Sequence, residues 1–172
     1  MCSAVLDWAT SNRVGFSSVI SLGSTADIDF GEILDYLVYD HRTHYILLYI
    51  EGIRNSRRFM SALRSAARIK PILLLKAGRH ASGSAAVQAH SGMIAGSDAV
   101  FDAAVRRAGV VRVQNVGQLF YASKALASKF RPQGKRLAII TNGGGPGAMA
   151  ADRASDMDIT LAELSLETMK AL

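Results

Sequence analysis

The chain has 172 residues, 49% hydrophobic and 20% charged, with a formal net charge of +6 and a single cysteine. That suffices for one substantial core with a small unit beside it, while apolar runs of about six residues exclude a helical membrane span and no signal-peptide pattern opens the chain. Cys2 alone cannot form an internal disulfide, which fits a reducing, cytoplasmic setting, and the positive excess favours anionic partners without any nucleic-acid reader motif to match it.

In chain order, Met1–Thr10 reads as helix interior, with Ala4, Val5, Leu6 and Trp8, and such a helix expects a strand or loop ahead of it. Val19–Leu22 is a short apolar run ending at Gly23 and predicts a strand. Asp29 is placed to cap a helix over Phe30–Tyr39, where Ile33, Leu34 and Leu37 form the apolar stripe. Tyr45–Ile50 is nearly continuous in apolar residues, the pattern of a parallel strand covered on both faces. Asn55 opens a helix to about Ile69, with Phe59, Met60, Leu63 and Ala67 inward. Its Arg54, Arg57, Arg58 and Arg64 share one side, which fits a solvated face as well as a phosphate track.

Pro71 heads a strand over Ile72–Leu75, where a lost backbone donor is tolerable. A stretch of small residues follows from Lys76 to Gly96, with room for a short helix over Ser84–Ala89. Asp98 starts a helix to Ala108, Val110–Val113 is a strand, and Val116–Phe130 a further helix. This alternation predicts a doubly wound parallel α/β sheet. Residues 131–135, with Pro132 and Gly134, read as a linker after a first domain of residues 1–130. Residues 136–172 then begin a second unit, with a strand over Arg136–Thr141, a helix from about Pro146 and a helix over Ser165–Leu172.

In parallel α/β sheets, sites form beyond the carboxyl ends of the strands. Three polar features fall there. Glu51 follows the strand Tyr45–Ile50, and it could equally cap the next helix. His90 lies in the long loop after Ile72–Leu75, ahead of Gly92 and Gly96; a lone loop histidine is commonly a surface residue. The run Asn142, Gly143, Gly144, Gly145, Pro146 and Gly147 joins a strand to a helix. Its exposed amides and the helix dipole would favour a phosphate, although a tight strand-to-helix turn needs glycine too. The spacing lacks the Gly-Lys-Ser/Thr of the nucleotide phosphate loop, no Gly-x-Ser-x-Gly elbow occurs, and the scattered histidines suggest no metal site. Together the residues suit phosphoryl transfer through an imidazole steadied by a carboxylate.

These residues sit in stretches that carry a family likeness. They include Ala4-Val5-Leu6-Asp7-Trp8-Ala9, Leu48-Tyr49-Ile50-Glu51-Gly52-Ile53 and Lys76-Ala77-Gly78-Arg79. The most specific are Ala89-His90-Ser91-Gly92 with Ala95-Gly96-Ser97-Asp98-Ala99-Val100, and Ile140-Thr141-Asn142-Gly143-Gly144-Gly145-Pro146-Gly147. Over nearly its whole length the chain resembles the NDP-forming acyl-CoA synthetases, relatives of succinyl-CoA synthetase. It is also similar to the corresponding region of some bacterial protein lysine acetyltransferases.

The resemblance implies a flavodoxin-like doubly wound domain followed by the start of a second one. It implies His90 as the phosphorylated histidine, Glu51 as the carboxylate that steadies it, and Asn142, Gly143, Gly144, Gly145 and Gly147 as a phosphate-facing helix start. It implies CoA, ATP/ADP and Mg2+ for the complete enzyme, phosphate or acyl phosphate as partners, and no cofactor tightly held by this chain. CoA-binding and ATP-grasp domains or subunits would be further partners, and homo-oligomerisation stays open. The family's Rossmann-like CoA-binding domain, its Ser-Gln-Ser-Gly-type loop and its ATP-grasp domain have no counterpart in these residues. The expectation is therefore that the chain folds but does not turn over alone. Alternatives are an acyl-CoA-sensing region of an acetyltransferase and a scaffold or oligomerisation module.

Overall fold

The computed structural model describes residues 2–12, 14–23, 25–91, 96–128 and 132–171, the side chains of Cys2, Ala4, His90 and Ser91 excepted. The chain divides into two compact units, Met1–Ser128 and Lys129–Leu172.

In the first unit, helix α1 (Cys2–Ser11) lays the Trp8 ring on Phe120, centroids 3.6 Å apart. Helix α2 (Phe30–Tyr39) starts at a capping box in which Asp29 accepts from the Gly31 and Glu32 amides and Glu32 accepts from the Asp29 amide. That pairing satisfies donors a helix start otherwise leaves free. Strand β1 (Ile46–Ile50) alternates fully and partly buried residues. Helix α3 (Ser56–Ala67) is capped by Asn55, whose side chain accepts from the Arg58 amide. Arg58 reaches back to Glu32 at 3.0 Å and ties α3 to the start of α2. Strand β2 (Ile72–Lys76) is buried at every position. Helices α4 (Ala81–Ser91) and α5 (Asp98–Arg107) precede strand β3 (Val111–Val113), and helix α6 (Val116–Ala127) closes the unit.

The strands form a parallel sheet in the order β1-β2-β3. Period-two alternation sends residues to opposite faces. Ile46, Leu48, Ile50, Ile72 and Leu74 pack with Leu34, Phe59, Leu63 and Val105 from α2, α3 and α5. Leu73, Leu75 and Val113, with Leu47 and Tyr49, pack with Leu119 and Leu126 of α6 on the other face. Helices thus cover both faces, and the sheet is doubly wound as predicted.

The predicted strand over Val19–Leu22 does not form: residues 14–22 belong to no strand. An apolar run becomes a strand only where a neighbour completes its ladder, and none does here. Helix α4 is longer than expected, because its alanines sustain a helix without an apolar stripe to announce it.

In the second unit, β4 (Arg136–Leu137) and β5 (Thr160–Leu161) pair in parallel around helix α7 (Gly144–Asp156), and α8 (Leu166–Ala171) follows. The strand predicted over Arg136–Thr141 keeps only two residues, since β5 offers only two to pair with. Ala154 is the buried hydrophobic residue of this unit among those described.

Candidate functional site

Parallel pairing sets Ile50 beside Lys76, so the chain leaves β1 and β2 at the same end of the sheet. Glu51 is the first residue beyond β1 and is half-buried. The Tyr49 hydroxyl donates to its Oε1 at 3.2 Å. Burial first, and then the Glu51 carboxylate, push the Tyr49 phenol above its ordinary value, so Tyr49 remains a donor that fixes this carboxylate. That pairing has no signature in the sequence, because a tyrosine in an apolar strand reads as core.

Beyond β2, Gly78 adopts a positive φ of 70°, and Val87 of α4 packs so near that a Cβ on Gly78 would lie 3.2 Å from it. A side chain there would meet both backbone strain and crowding. Helix α4 is thereby pinned over the carboxyl end of β2. His90 is not in a loop as expected; it is the penultimate residue of α4. The reason is again the helix-sustaining alanine-rich stretch. Its side chain, and the whole of residues 92–95, lie outside the described residues.

The chain returns to the sheet at a charge cluster. Lys76, buried at the end of β2, lies 3.6 Å from Asp98 at the start of α5. Arg112 of β3 pairs with the same Asp98 and, at 3.0 Å, with Asp102. Both cations face the Phe101 ring at 5.4 Å, an arrangement that ring quadrupoles favour. Burial alone would raise the Asp98 carboxyl, but hydrogen bonding and charge from Arg112, aided by Lys76 and Arg79, hold it below its ordinary range. Burial opposes the Arg112 charge too, yet Asp98 and Asp102 raise its pKa. The cluster fastens α5 to β2 and β3 where the segment following His90 rejoins the sheet. Arg112 was legible only as a charge inside an apolar strand.

In the second unit, the glycine run forms the first turn of α7, which begins at Gly144 rather than about Pro146 and follows β4 only after a loop instead of directly joining a strand. The Thr141 hydroxyl accepts from the Gly143 amide at 3.2 Å, the Gly147 amide bonds to the Gly143 carbonyl, and Pro146 has no N–H. Gly144 and Gly145 are left as the first helical amides of α7. Gly147 is glycine for packing, as a Cβ there would come within 3.0 Å of Thr141. Asn142 is exposed ahead of the turn. Glu51 and α4 belong to the first unit and this turn to the second.

No group of three or more His, Cys, Asp or Glu residues is gathered for a metal ion among the described residues. No helix among them is long and apolar enough to cross a membrane.

Residues 1–126 match the family model of the succinyl-CoA ligase-like flavodoxin domain. The chain belongs to that family. Among curated relatives it is 44% identical to an ADP-forming acetate–CoA ligase I of Archaeoglobus fulgidus, over 98% of this chain and 24% of that protein. It is 40% identical to the alpha subunit of the corresponding ligase I of Pyrococcus furiosus, over 97% of this chain and 36% of the subunit. A solved structure of a Ca. Korarchaeum cryptofilum acetyl-coenzyme A synthetase, described as dinucleotide forming and in complex with phosphate and ADP, aligns with a TM-score of 0.85 at 35% identity. That alignment covers 94% of this chain and 35% of the other. The chain therefore spans about a quarter to a third of the length of these relatives. The flavodoxin-like fold and the family read from the sequence both stand.

Proposed function

We propose that this chain is the histidine-bearing part of an ADP-forming acyl-CoA synthetase, with acetyl-CoA as the acyl donor. The observation that carries the reading is the near-complete coverage of the chain by relatives named as ADP-forming acetate–CoA ligases, at 44% and 40% identity.

In the proposed sequence, phosphate attacks the thioester carbonyl and CoA leaves as the thiol, giving an acyl phosphate. An imidazole nitrogen of His90 then attacks phosphorus, and the acyl–oxygen side departs as the free carboxylate. A terminal oxygen of ADP takes the phosphoryl group, the P–N bond breaks, and the imidazole is regenerated. Glu51 is assigned to hold the other imidazole nitrogen, which selects the tautomer. The Tyr49 bond supports that role, since it restrains the carboxylate. The turn at Asn142, Gly143, Gly144, Gly145 and Gly147 is assigned as a phosphate-binding helix start of the second unit, with the Gly144 and Gly145 amides as its donors.

CoA, ADP and the magnesium that accompanies the nucleotide are assigned to CoA-binding and ATP-grasp domains or subunits, and no step is assigned to a metal on this chain. Residues 1–130 are taken as the flavodoxin-like domain, 131–135 as a linker and 136–172 as the start of a second such domain, in a cytoplasmic enzyme. The test is ATP formation from acetyl phosphate and ADP by the complete synthetase. His90→Ala should reduce it at least about a hundredfold, and wild-type rates in that variant would refute the reading.

A further inference from the structure

Strand β2 is apolar from Ile72 to Leu75 and ends in a lysine as deeply buried as Leu75, at 6% exposure. Lysine is rarely so deep unless an opposite charge requires it, because taking an ammonium out of water is costly. The nearby carboxylates do not require it. Asp98 pairs with Arg112, and Asp102 pairs with Arg112 and, at 2.8 Å, with Arg106. Lys76, 3.6 Å from Asp98, is therefore a third cation on two carboxylates. An apolar side chain of similar length would fill the space and leave both acids paired. Exchanges of that kind are commonly neutral or stabilising, so packing and charge balance alone do not account for a lysine here.

What the ammonium touches does account for it. Lys76 Nζ donates to the Ala77 and Gly78 carbonyls, each at 3.4 Å, and reaches Asp98. Ala77 and Gly78 are where the chain leaves β2, and Asp98 is the first residue of α5, where it returns to the sheet. The Phe101 ring, in the first turn of α5, lies 5.4 Å from the same ammonium. One buried charge thus joins the two ends of the stretch 79–97, which carries α4 and, as its penultimate residue, His90.

We propose that Lys76 is a positioning residue of the phosphoryl relay: by holding both ends of the stretch that bears His90, it fixes where the imidazole is presented. The proposal rests on the assignment of the relay to His90. A reacting group displaced by about 1 Å can lose about a hundredfold in rate, and a tie shared by three acceptors restrains the exit and the return of the chain together. The lysine serves the relay, whereas Arg112 and Arg106 serve the fold.

The test is Lys76→Met in the complete synthetase, beside Asp98→Asn and the double variant. The first readout is the single-turnover rate at which acid-labile, protein-bound phosphate forms from saturating acetyl phosphate. The others are Tm and amide exchange at Ser84 and Phe101, whose N–H groups close the first turns of α4 and α5 on the His80 and Ser97 carbonyls. Lys76→Met should slow labelling at least about tenfold and speed exchange at both amides about tenfold, with Tm unchanged or raised. Asp98→Asn removes the same tie from its other side, so the double variant should label no more slowly than the slower single one. Wild-type labelling in Lys76→Met, unchanged exchange at both amides, or multiplying effects in the double variant would overturn the proposal. So would a Tm that falls with the rate, or a Lys76→Met protein that does not fold, since the lysine would then be structural. A wild type that takes up no label refutes the relay reading itself, an outcome distinct from a labelled wild type matched by Lys76→Met.

Discussion

Asp98 receives charge from Lys76 and Arg112 at the point where α5 begins. Its carboxyl is held below the ordinary range, so its stabilising effect is complete above the unfolded value of about 3.9 and is lost as pH falls through the lower, folded value. Asp98→Asn should cost about 2–3 kcal/mol at pH 7 and should flatten the acid limb of stability below about pH 4. Urea midpoints from pH 7 to pH 2.5 check both, and an unchanged acid limb would show that the cluster is not the source. At Glu51, Gln retains the shape but not the charge. Glu51→Gln in the complete synthetase should slow turnover about 10–100-fold while phosphate still reaches His90. Equal rates for the two proteins would reduce Glu51 to a partner of Tyr49. Residue chemistry was partly legible in the sequence: Glu51 stood out as a carboxylate closing an apolar strand. The Arg112 pairings did not, because its carboxylates lie ten and fourteen residues away and only the fold joins them.

Elements with a strong local pattern were readable. The helix over Phe30–Tyr39 has both its cap and its apolar stripe in the sequence, and its observed limits are the expected ones. Strand β2 was recognisable because burial on both faces demands an unbroken apolar run. Leu63, fully buried between α3 and the sheet, should cost about 2–5 kcal/mol on truncation to Ala. A lowered denaturation midpoint with an unchanged m-value would confirm a cavity rather than a changed unfolded state. The failures share a cause as well. Helix α4 has small residues and no amphipathic stripe, so periodicity could not find it. The run Val19–Leu22 has a strand's composition, but pairing is supplied by another segment of chain, which no local pattern can reveal.

For the whole molecule, the first unit has a layered core, whereas the second exposes Ile140, Leu164 and Leu166. Its relatives in the succinyl-CoA ligase-like family are about three to four times as long. The 172-residue chain alone should therefore make no ATP from acetyl-CoA, phosphate and ADP, and steady CoA-dependent synthesis by it would contradict this. The most direct test of phosphoryl relay is to incubate the complete synthetase with magnesium and labelled ATP and to measure acid-labile protein-bound phosphate. The account predicts label on the wild-type protein and its loss in His90→Ala. A folded, ATP-binding wild-type protein that takes up no label, or a His90→Ala variant that keeps it, would contradict the account.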